Sequence, residues 1–214
     1  MKSVDIKLDD TLLQGDLTMP EKCKQLILFA HGSGSGRKSR RNRQVSRYFN
    51  EKGYATLLFD LLSEKEASED EIYANYRFDI NLLSRRMADT TRWSSEYIET
   101  RDLDTSYYGS STGAAAAIKA AVEPDCVVRS VVSRGGRSDL AEEALQKIQT
   151  PVLFIVGGRD QVVMDINRES ASRIPGQTEI RIVEGASHLF EEPGALEKVA
   201  SMAVEWFDRH LHRE

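Results

Sequence analysis

A five-residue segment, Gly109-Ser110-Ser111-Thr112-Gly113, has the residue types and spacing of an activated serine nucleophile. Residues 105–108 before it are typical of the end of a strand, and the alanine-rich residues 114–121 after it strongly favour a helix. A serine on a sharp strand-to-helix turn has a strained backbone, so the residues two before and two after it must be small. Both are glycine here. The spacing therefore selects Ser111 as the exposed nucleophile, beside the positive N-terminal end of the helix.

A serine hydroxyl needs a base to remove its proton, and histidine is the usual base near neutral pH. The chain has four histidines. His210 and His212 lie in the charged C-terminal segment, and His31 directly precedes a glycine-rich loop, where we expect it to shape the backbone. His188 follows the last predicted strand and is therefore the predicted base.

The imidazole in turn needs an acceptor that fixes its tautomer and stabilises its positive charge. Asp160 follows a predicted buried strand and a Gly-Gly turn, and it is the predicted acceptor. Asp165, in or near the next helix, and Glu184, close to His188 in the sequence, are weaker candidates. Ser111, Asp160 and His188 then occur in the chain order of one of the unrelated folds that share this chemistry.

Attack on a carbonyl group creates an oxyanion, which needs N–H donors to stabilise it. Thr112 supplies one donor by its position after the nucleophile. The loop at residues 32–34 supplies the second, through Ser33 or, as the alternative, through Gly34. Glycines in this loop let the backbone approach a substrate closely.

Two arginines in the loop after the sixth predicted strand are candidates for substrate binding. Arg134 and Arg137 flank a Gly-Gly pair, and guanidinium groups bind carboxylates through paired hydrogen bonds. We therefore predict that they bind an anionic ester or lactone, with the basic residues between 37 and 43 as the other candidates. The alternative is that both arginines pair with the acidic residues between 64 and 71, as surface charges commonly do.

Short apolar segments alternate with helical segments along the chain, which is typical of an α/β protein with a mostly parallel sheet covered on both faces. Strands are predicted at residues 4–8, 13–19, 25–30, 54–59, 105–108, 127–132, 151–156 and 179–183. Helices are predicted within residues 37–52 and at 80–93, 114–121, 139–148, 166–174 and 194–210, and residues 61–77 are predicted as a long loop with a turn or two of helix. In such sheets the working loops meet at the carboxyl ends of the strands, which brings the candidate residues to one edge.

The chain resembles the α/β-hydrolase superfamily, in its small dienelactone-hydrolase-like branch. The motifs that carry the resemblance are His31-Gly32-Ser33-Gly34-Ser35-Gly36, residues 109–116, Ser133-Arg134-Gly135-Gly136-Arg137, Gly157-Gly158-Arg159-Asp160 and residues 186–194. The resemblance implies about eight strands with the second one antiparallel, little or no lid, and a triad of Ser111, Asp160 and His188. The dienelactone hydrolases that name the branch use cysteine as the nucleophile. Serine in this chain favours instead the general hydrolysis of a carboxylic ester or lactone of a small soluble substrate, through an acyl-enzyme intermediate.

The composition is that of a globular protein, with 40% apolar and 29% charged residues in a chain of 214. A formal net charge of −5 argues against nucleic acid as a partner. Cys23 and Cys126 lack metal-ligand spacing, so no metal, cofactor or disulfide is expected. No secretory signal or membrane-spanning run is present, so we expect one cytoplasmic α/β-hydrolase domain over residues 1–214 that binds a small molecule and no membrane.

Two other functions fit parts of the sequence. Residues 32–39 nearly match the phosphate loop of nucleotide-binding proteins, with Asp60 placed to hold magnesium, although Arg37 replaces the second glycine. The chain could also be a non-catalytic binding domain on a hydrolase fold, because a fold alone does not establish an activity. A magnesium-dependent ATP-binding assay tests the first alternative, and labelling with a fluorophosphonate tests the second.

Overall fold

The computed structural model describes residues 1–211, and its strands form one eight-stranded sheet. The strands are β1 (Lys2–Lys7), β2 (Leu12–Thr18), β3 (Leu26–Ala30), β4 (Ala55–Phe59), β5 (Thr105–Ser110), β6 (Val128–Arg134), β7 (Val152–Gly157) and β8 (Thr178–Val183). Their order in the sheet is β1-β2-β4-β3-β5-β6-β7-β8. Strand β2 is antiparallel to both of its neighbours, and the other neighbouring pairs are parallel. The predicted mostly parallel sheet with an antiparallel second strand is thus confirmed.

Helices cover both faces of this sheet. Within residues 1–211 they are α1 (Arg40–Glu51), α2 (Glu64–Tyr73), α3 (Ile80–Glu96), α4 (Thr112–Ala120), α5 (Gln161–Arg173) and α6 (Ala195–Arg209), with a 3₁₀ helix at Ser138–Gln146. None of the helices in this part of the chain is both long enough and apolar enough to cross a membrane.

Double coverage explains why the central strands are continuously apolar. Every residue of β3, β4, β5 and β7 is buried. On one face, Phe29 and Tyr108 of the sheet pack against Phe49 of α1, which also contacts Phe207 of α6. On the other face, the alanines of α4 pack with Met87 of α3 in a second part of the core.

The register of the parallel strands brings their carboxyl ends together. Ala30 of β3 pairs with Gly109 of β5, and Ser110 pairs with Arg134 at the end of β6. Gly157 of β7 pairs with Val183 of β8 in the same way. The loops that carry the candidate residues therefore begin side by side at one edge of the sheet, as predicted.

Two helices differ from the sequence prediction because of their caps. The segment predicted as a loop with a turn or two of helix contains the ten-residue helix α2, since Ser63 and Glu66 form a capping box at its start. Helix α5 begins at residue 161 and not at residue 166, because the side chain of Asp160 caps it by accepting the N–H of Val163. Both caps were visible in the sequence as residue types.

The segment after β6 differs in its type of helix. The helix predicted at residues 139–148 is instead the 3₁₀ helix, which is interrupted at Glu142, where φ is 52°. Its buried residues Ala141, Ala144 and Leu145 belong to the core, and the segment contacts α4 and α5. It therefore covers the sheet and does not form a lid.

Candidate active site

Ser111 occupies the turn between β5 and α4 and is the N-cap residue of α4. Its φ of 51° and ψ of −125° form a positive-φ conformation that is rare outside glycine and is a sign of strain. A Cβ at Gly109 would lie 2.5 Å from Cα of Ala114, and a Cβ at Gly113 would lie 2.3 Å from the carbonyl oxygen of Ala30. Only glycine fits at these two positions, so the turn has the geometry of a nucleophile elbow.

The loop after β3 lies directly against this turn. A Cβ at Gly32 would lie 3.0 Å from Cβ of Ser111. The N–H of Ser33 donates to Oγ1 of Thr112 at 2.8 Å. The N–H groups of Thr112 and Gly34 donate to no acceptor within residues 1–211. The N–H groups of Ser33 and Thr112 therefore lie beside the nucleophile, although that of Ser33 is already engaged, whereas Gly34 is not among the residues that line the cavity with Ser111.

His188 lies in the loop after β8, with Nδ1 2.6 Å from Oδ2 of Asp160. The other oxygen of Asp160 accepts the N–H of Val163 at 3.3 Å, so the start of α5 holds the carboxylate in place. Of the two weaker candidates, Asp165 forms its hydrogen bonds within α5, and Glu184 forms none with His188. Asp160 is thus the candidate acid that reaches the imidazole.

The histidines that the sequence analysis set aside have other partners. Nε2 of His31 accepts the N–H of Leu61, and Nδ1 donates to the carbonyl oxygen of Gly32, both at 3.0 Å. Burial lowers the pKa of His31, so it is a neutral imidazole that ties the glycine loop to the end of β4. His210 forms its hydrogen bonds at the C-terminal end of α6, and His212 lies outside the described residues.

Ionised side chains hold the loop that carries His188. The carboxylate oxygens of Glu192 accept the N–H of Ser187 at 3.0 and 3.1 Å, and the same carboxylate pairs with Arg159. These contacts, the Ser187 N–H first among them, lower the pKa of Glu192 to about 2. The residue before the imidazole is therefore bound to a carboxylate that stays ionised near neutral pH.

Ser111 and His188 line the same cavity, which has a volume of about 260 Å³ and lies at the carboxyl edge of the sheet. Nε2 of His188 forms no hydrogen bond with any described residue, so it is available to accept a proton. The remaining lining residues come mainly from the loop after β3, the first turn of α1 and the end of β6: Gly32, Ser33, Ser35, Ser39, Arg41, Asn42, Ser110, Arg134 and Leu189.

The two predicted substrate-binding arginines have different surroundings. Arg134 is only 6% exposed, lines the cavity, and donates through Nη2 to Oδ1 of Asn42 at 3.3 Å. Arg137 forms two hydrogen bonds to Asp139, of 2.9 and 2.7 Å, and is not among the cavity residues. Neither arginine pairs with the acidic segment at residues 64–71. The structure brings Arg134, and not Arg137, to the nucleophile.

Asp60, which the nucleotide-binding alternative requires as a magnesium ligand, is instead bonded to Arg37. Oδ1 of Asp60 accepts the main-chain N–H of Arg37 at 2.7 Å, and the guanidinium of Arg37 pairs with the same carboxylate. Arg37 also lies 3.7 Å from Asp16. Within residues 1–211, no three or more histidine, cysteine, aspartate or glutamate side chains are grouped so as to hold a metal ion.

Two residues at the site were not predicted from the sequence. Asn42 is buried in α1 and contacts Arg134 across the cavity wall, a contact between distant segments that no local pattern indicates. Glu192 follows His188 by four positions, within the motif at residues 186–194. Its place in a loop, close after a candidate base, was a signal that could have assigned it a positioning role.

Comparison with known proteins identifies the family. Residues 23–206 match the family model of an alpha/beta hydrolase domain. The crystal structure of a dienelactone hydrolase from Anabaena variabilis ATCC 29413 has a TM-score of 0.96 and 43% sequence identity to this chain, and the match covers 99% of this chain and 98% of that one. The chain therefore belongs to the α/β-hydrolase family, in its dienelactone-hydrolase-like branch. This confirms the resemblance inferred from the sequence motifs.

Two more distant or partial matches complete the comparison. Est1E from Butyrivibrio proteoclasticus has a TM-score of 0.80 and 16% identity, over 97% of this chain and 98% of its own, and so shares the fold. A Mycobacterium tuberculosis protein whose name describes it as a phosphoribosyl transferase is 51% identical over 197 residues. Those residues are 92% of this chain and 44% of that protein, so the chain spans less than half the length of this curated relative.

Proposed function

We propose that this hydrolase uses Ser111, His188 and Asp160 as a catalytic triad to cleave a carboxylic ester or lactone of a small substrate. The observation that carries the proposal is the 2.6 Å contact between Nδ1 of His188 and Oδ2 of Asp160, beside a cavity that His188 shares with the strained Ser111. A nucleophile on a strained turn, a base with a free Nε2 and an acid bonded to that base are the three parts that acyl transfer by serine requires.

In the proposed first step, Nε2 of His188 accepts the proton of Ser111 Oγ as that oxygen attacks the carbonyl carbon. Asp160 accepts the hydrogen bond of Nδ1–H and stabilises the imidazolium. When the tetrahedral intermediate collapses, the alkoxy oxygen leaves with the proton from His188, and the acyl group remains on Ser111. Water, deprotonated by His188, then attacks the acyl-enzyme and releases the acid. For a lactone, the leaving alcohol stays attached to the acyl group.

The oxyanion of this reaction requires donors beside Ser111. We assign the first to the N–H of Thr112, because it lies at the free N-terminal end of α4 directly after the nucleophile. Ser33 remains the second donor, with Gly34 as the alternative. The hydrogen bond from Ser33 to Thr112 Oγ1 keeps this backbone against the elbow. In the reaction the Ser33 N–H would turn from that hydroxyl to the oxyanion.

The size of the cavity indicates a small substrate. Its volume of about 260 Å³ falls below the usual range of drug-sized ligand sites. The 3₁₀ helix after β6, where we considered a lid, packs against α4 and α5 and so does not cover the cavity to bury a long acyl chain. A short acyl chain is therefore expected to react faster than a long one.

Two measurements test this function together. A fluorophosphonate probe should label wild-type protein and not the Ser111→Ala variant. A panel of p-nitrophenyl esters, lactones and thioesters of several chain lengths should then show turnover by wild type and none above background by the variant. Folded wild-type protein that neither reacts with the probe nor turns over any member of the panel would be a binding domain, which was the second alternative.

The transferase name of the Mycobacterium tuberculosis relative calls for a separate assignment. The matched region is 44% of that protein, and in this chain it has a hydrolase fold. We propose that the name describes the remaining part of the relative. Phosphoribosyl transfer is then expected to be absent from this chain, and its detection in the Ser111→Ala variant would overturn the assignment.

A further inference from the structure

The first turn of α1, which follows the glycine loop (residues 32–36), is not used by the proposed hydrolysis. Ser39 caps this helix through Oγ, which accepts the N–H of Asn42 at 3.4 Å and leaves the hydroxyl hydrogen free to donate. The N–H groups of Arg40 and Arg41 donate to no acceptor within residues 1–211, and the first turn contains no acidic residue. Free N–H groups and the helix dipole at such an end attract an anion.

Arg134 supplies an independent observation that points to the same kind of ligand. Its side chain is 6% exposed and forms no ion pair with a carboxylate of the described residues. Its Nε has no hydrogen-bond partner, and its guanidinium carbon lies 5.7 Å from the centre of the Phe190 ring. A buried cation without a counter-ion costs free energy, because it loses hydration and gains no opposite charge in return. In the wall of a reaction cavity, such a group indicates an anionic ligand.

The helix end and the buried arginine meet at the nucleophile. Ser39 and Arg134 both line the cavity that contains Ser111. Ser39 and Arg41 also line an adjoining groove of about 730 Å³, which is lined by glutamates as well. Among these, Glu191 lies 3.2 Å from Arg41. Of the two arginines that line the cavity, Arg41 is therefore paired with a carboxylate, whereas Arg134 has no such partner among the described residues.

We infer that the first turn of α1, the glycine loop and Arg134 form a binding site for a phosphate group carried by the substrate. The substrate class is a small phosphorylated ester or lactone, whose carbonyl group lies at Ser111. Hydrolysis breaks the carboxylic ester bond only, so the phosphate stays on the product. This inference rests on the proposed hydrolase function, since it assigns a specificity to that same site.

The arrangement of donors favours phosphate over carboxylate. The hydroxyls of Ser35 and Ser39, the first N–H groups of α1 and the guanidinium of Arg134 come from three separate elements around one space. A phosphate monoester carries close to two negative charges and three acceptor oxygens in a tetrahedral arrangement. A planar carboxylate has one charge and two oxygens, which suit two parallel N–H donors of one guanidinium. Donors from several directions therefore match the tetrahedral group better.

Binding can be measured without catalysis in the Ser111→Ala variant, by titration calorimetry with phenyl phosphate, benzoate and benzamide. Phenyl phosphate should bind more tightly than benzoate by about tenfold or more, as a second charge and further hydrogen bonds allow. Benzamide, which is neutral, should bind least. Equal affinity for phenyl phosphate and benzoate would overturn the assignment to phosphate.

Added substitutions locate the site. In the Ser111→Ala background, Arg134→Gln should weaken phenyl phosphate binding by on the order of tenfold to a hundredfold, because a charged donor is lost. Arg137→Gln is the matched control, since this arginine is held by Asp139, and it should leave the affinity unchanged. Arg41→Gln, at a more exposed position, is the second variant if Arg134→Gln does not fold. An affinity that neither Arg134→Gln nor Arg41→Gln lowers would overturn the site.

The same measurements separate this inference from the proposed function. Binding of phenyl phosphate that depends on Arg134, in a wild-type protein that a fluorophosphonate fails to label, would keep the phosphate site and reject the hydrolase mechanism. Labelling by the fluorophosphonate and turnover of neutral esters, without binding of phenyl phosphate, would keep the hydrolase mechanism and reject the phosphate site.

Discussion

The nucleophile turn (residues 109–113) and the His188 loop (residues 184–192) meet at one cavity, yet different forces hold them. Close backbone packing fixes the turn, where an added Cβ at Gly113 would lie 2.3 Å from a carbonyl oxygen. Charged side chains fix the loop, through Asp160 at the imidazole and Glu192 at the preceding N–H. The side chain of His188 is 40% exposed, whereas the neighbours of Ser111 in the chain are buried.

This difference determines how each half of the site can fail. A close-packed turn cannot accept extra volume, because the surrounding backbone has nowhere to move. It is, however, insensitive to pH and salt. A loop held by ionised side chains tolerates changes in size but depends on charge, since protonation and screening weaken such contacts. Substitutions at the two halves should therefore separate steric effects from electrostatic ones.

Removing either reacting group should produce the largest effect. Ser111→Ala and His188→Ala should each lower kcat by on the order of 10⁶, and the double variant should be scarcely worse, because the two residues act as one unit. Steady-state kinetics on the best p-nitrophenyl ester measures this. Independent, multiplying losses in the double variant would show that the two residues do not share a proton-transfer step.

Asp160 both caps α5 and accepts the hydrogen bond of His188, and Asp160→Asn tests these two roles separately. Asparagine can still cap α5, so the free energy of unfolding should change by less than about 1 kcal/mol. The activity should fall by on the order of 10⁴, because the amide supports the wrong tautomer of His188. Denaturant unfolding and kinetics on the same preparation give both values. Asp165→Asn, on the exposed side of α5, is the matched control, and a loss of activity there would move the acid to that residue.

Gly113→Ala tests the steric half of the comparison. The new Cβ would lie 2.3 Å from the carbonyl oxygen of Ala30 and 2.4 Å from that of His31. Both are backbone atoms, so the cost should be about 3 kcal/mol or more, at the upper end of overpacking. Gly34→Ala is the matched control: it meets nothing within 4 Å but has a φ of +68°, so it should cost only about 1–2 kcal/mol. Equal losses in denaturant unfolding would show that the elbow is not close-packed.

The nucleophile turn was predictable from the sequence, because the residues that constrain it are neighbours in the chain. The two glycines around Ser111 and the alanines of α4 are adjacent in the chain, and they specify strand, turn and helix together. The mostly parallel sheet, and the edge at which the loops gather, followed from the alternation of apolar and helical segments. Helix bounds were missed where a cap decided them, as at Ser63 and Asp160.

The charged half was less predictable, because its contacts join segments far apart in the chain. Arg134 and Arg137 are indistinguishable in sequence, being three positions apart on either side of one Gly-Gly pair. Only the fold shows that one is buried beside Asn42 and the other is bound to Asp139. The pairing of Arg37 with Asp60, which argues against a magnesium site, likewise depends on the register of β3 and β4.

Glu192→Gln should give the smallest effect. It tests whether the charge of Glu192 holds the His188 loop. The pKa of Glu192 in the folded protein is about 2, below the ordinary value of 4.5. A carboxylate with a lowered pKa stabilises the folded state above its unfolded pKa, and this contribution is lost as the pH falls from 4.5 towards 2. At neutral pH the variant should unfold at a slightly lower temperature than wild type and show a severalfold lower kcat, because the Ser187 N–H loses an ionised acceptor and His188 is held less firmly.

The pH dependence separates this electrostatic role from a merely structural one. The difference in unfolding temperature between wild type and Glu192→Gln should shrink as the pH is lowered, since protonated glutamate and glutamine are then alike. Glu143→Gln is the matched control, because Glu143 is exposed and its ion pair is with Lys147 in the next turn. Its unfolding temperature should stay close to that of wild type at every pH. A difference for Glu192→Gln that stays constant with pH would mean that shape, and not charge, holds this loop, and the two halves of the site would then be fixed in the same way.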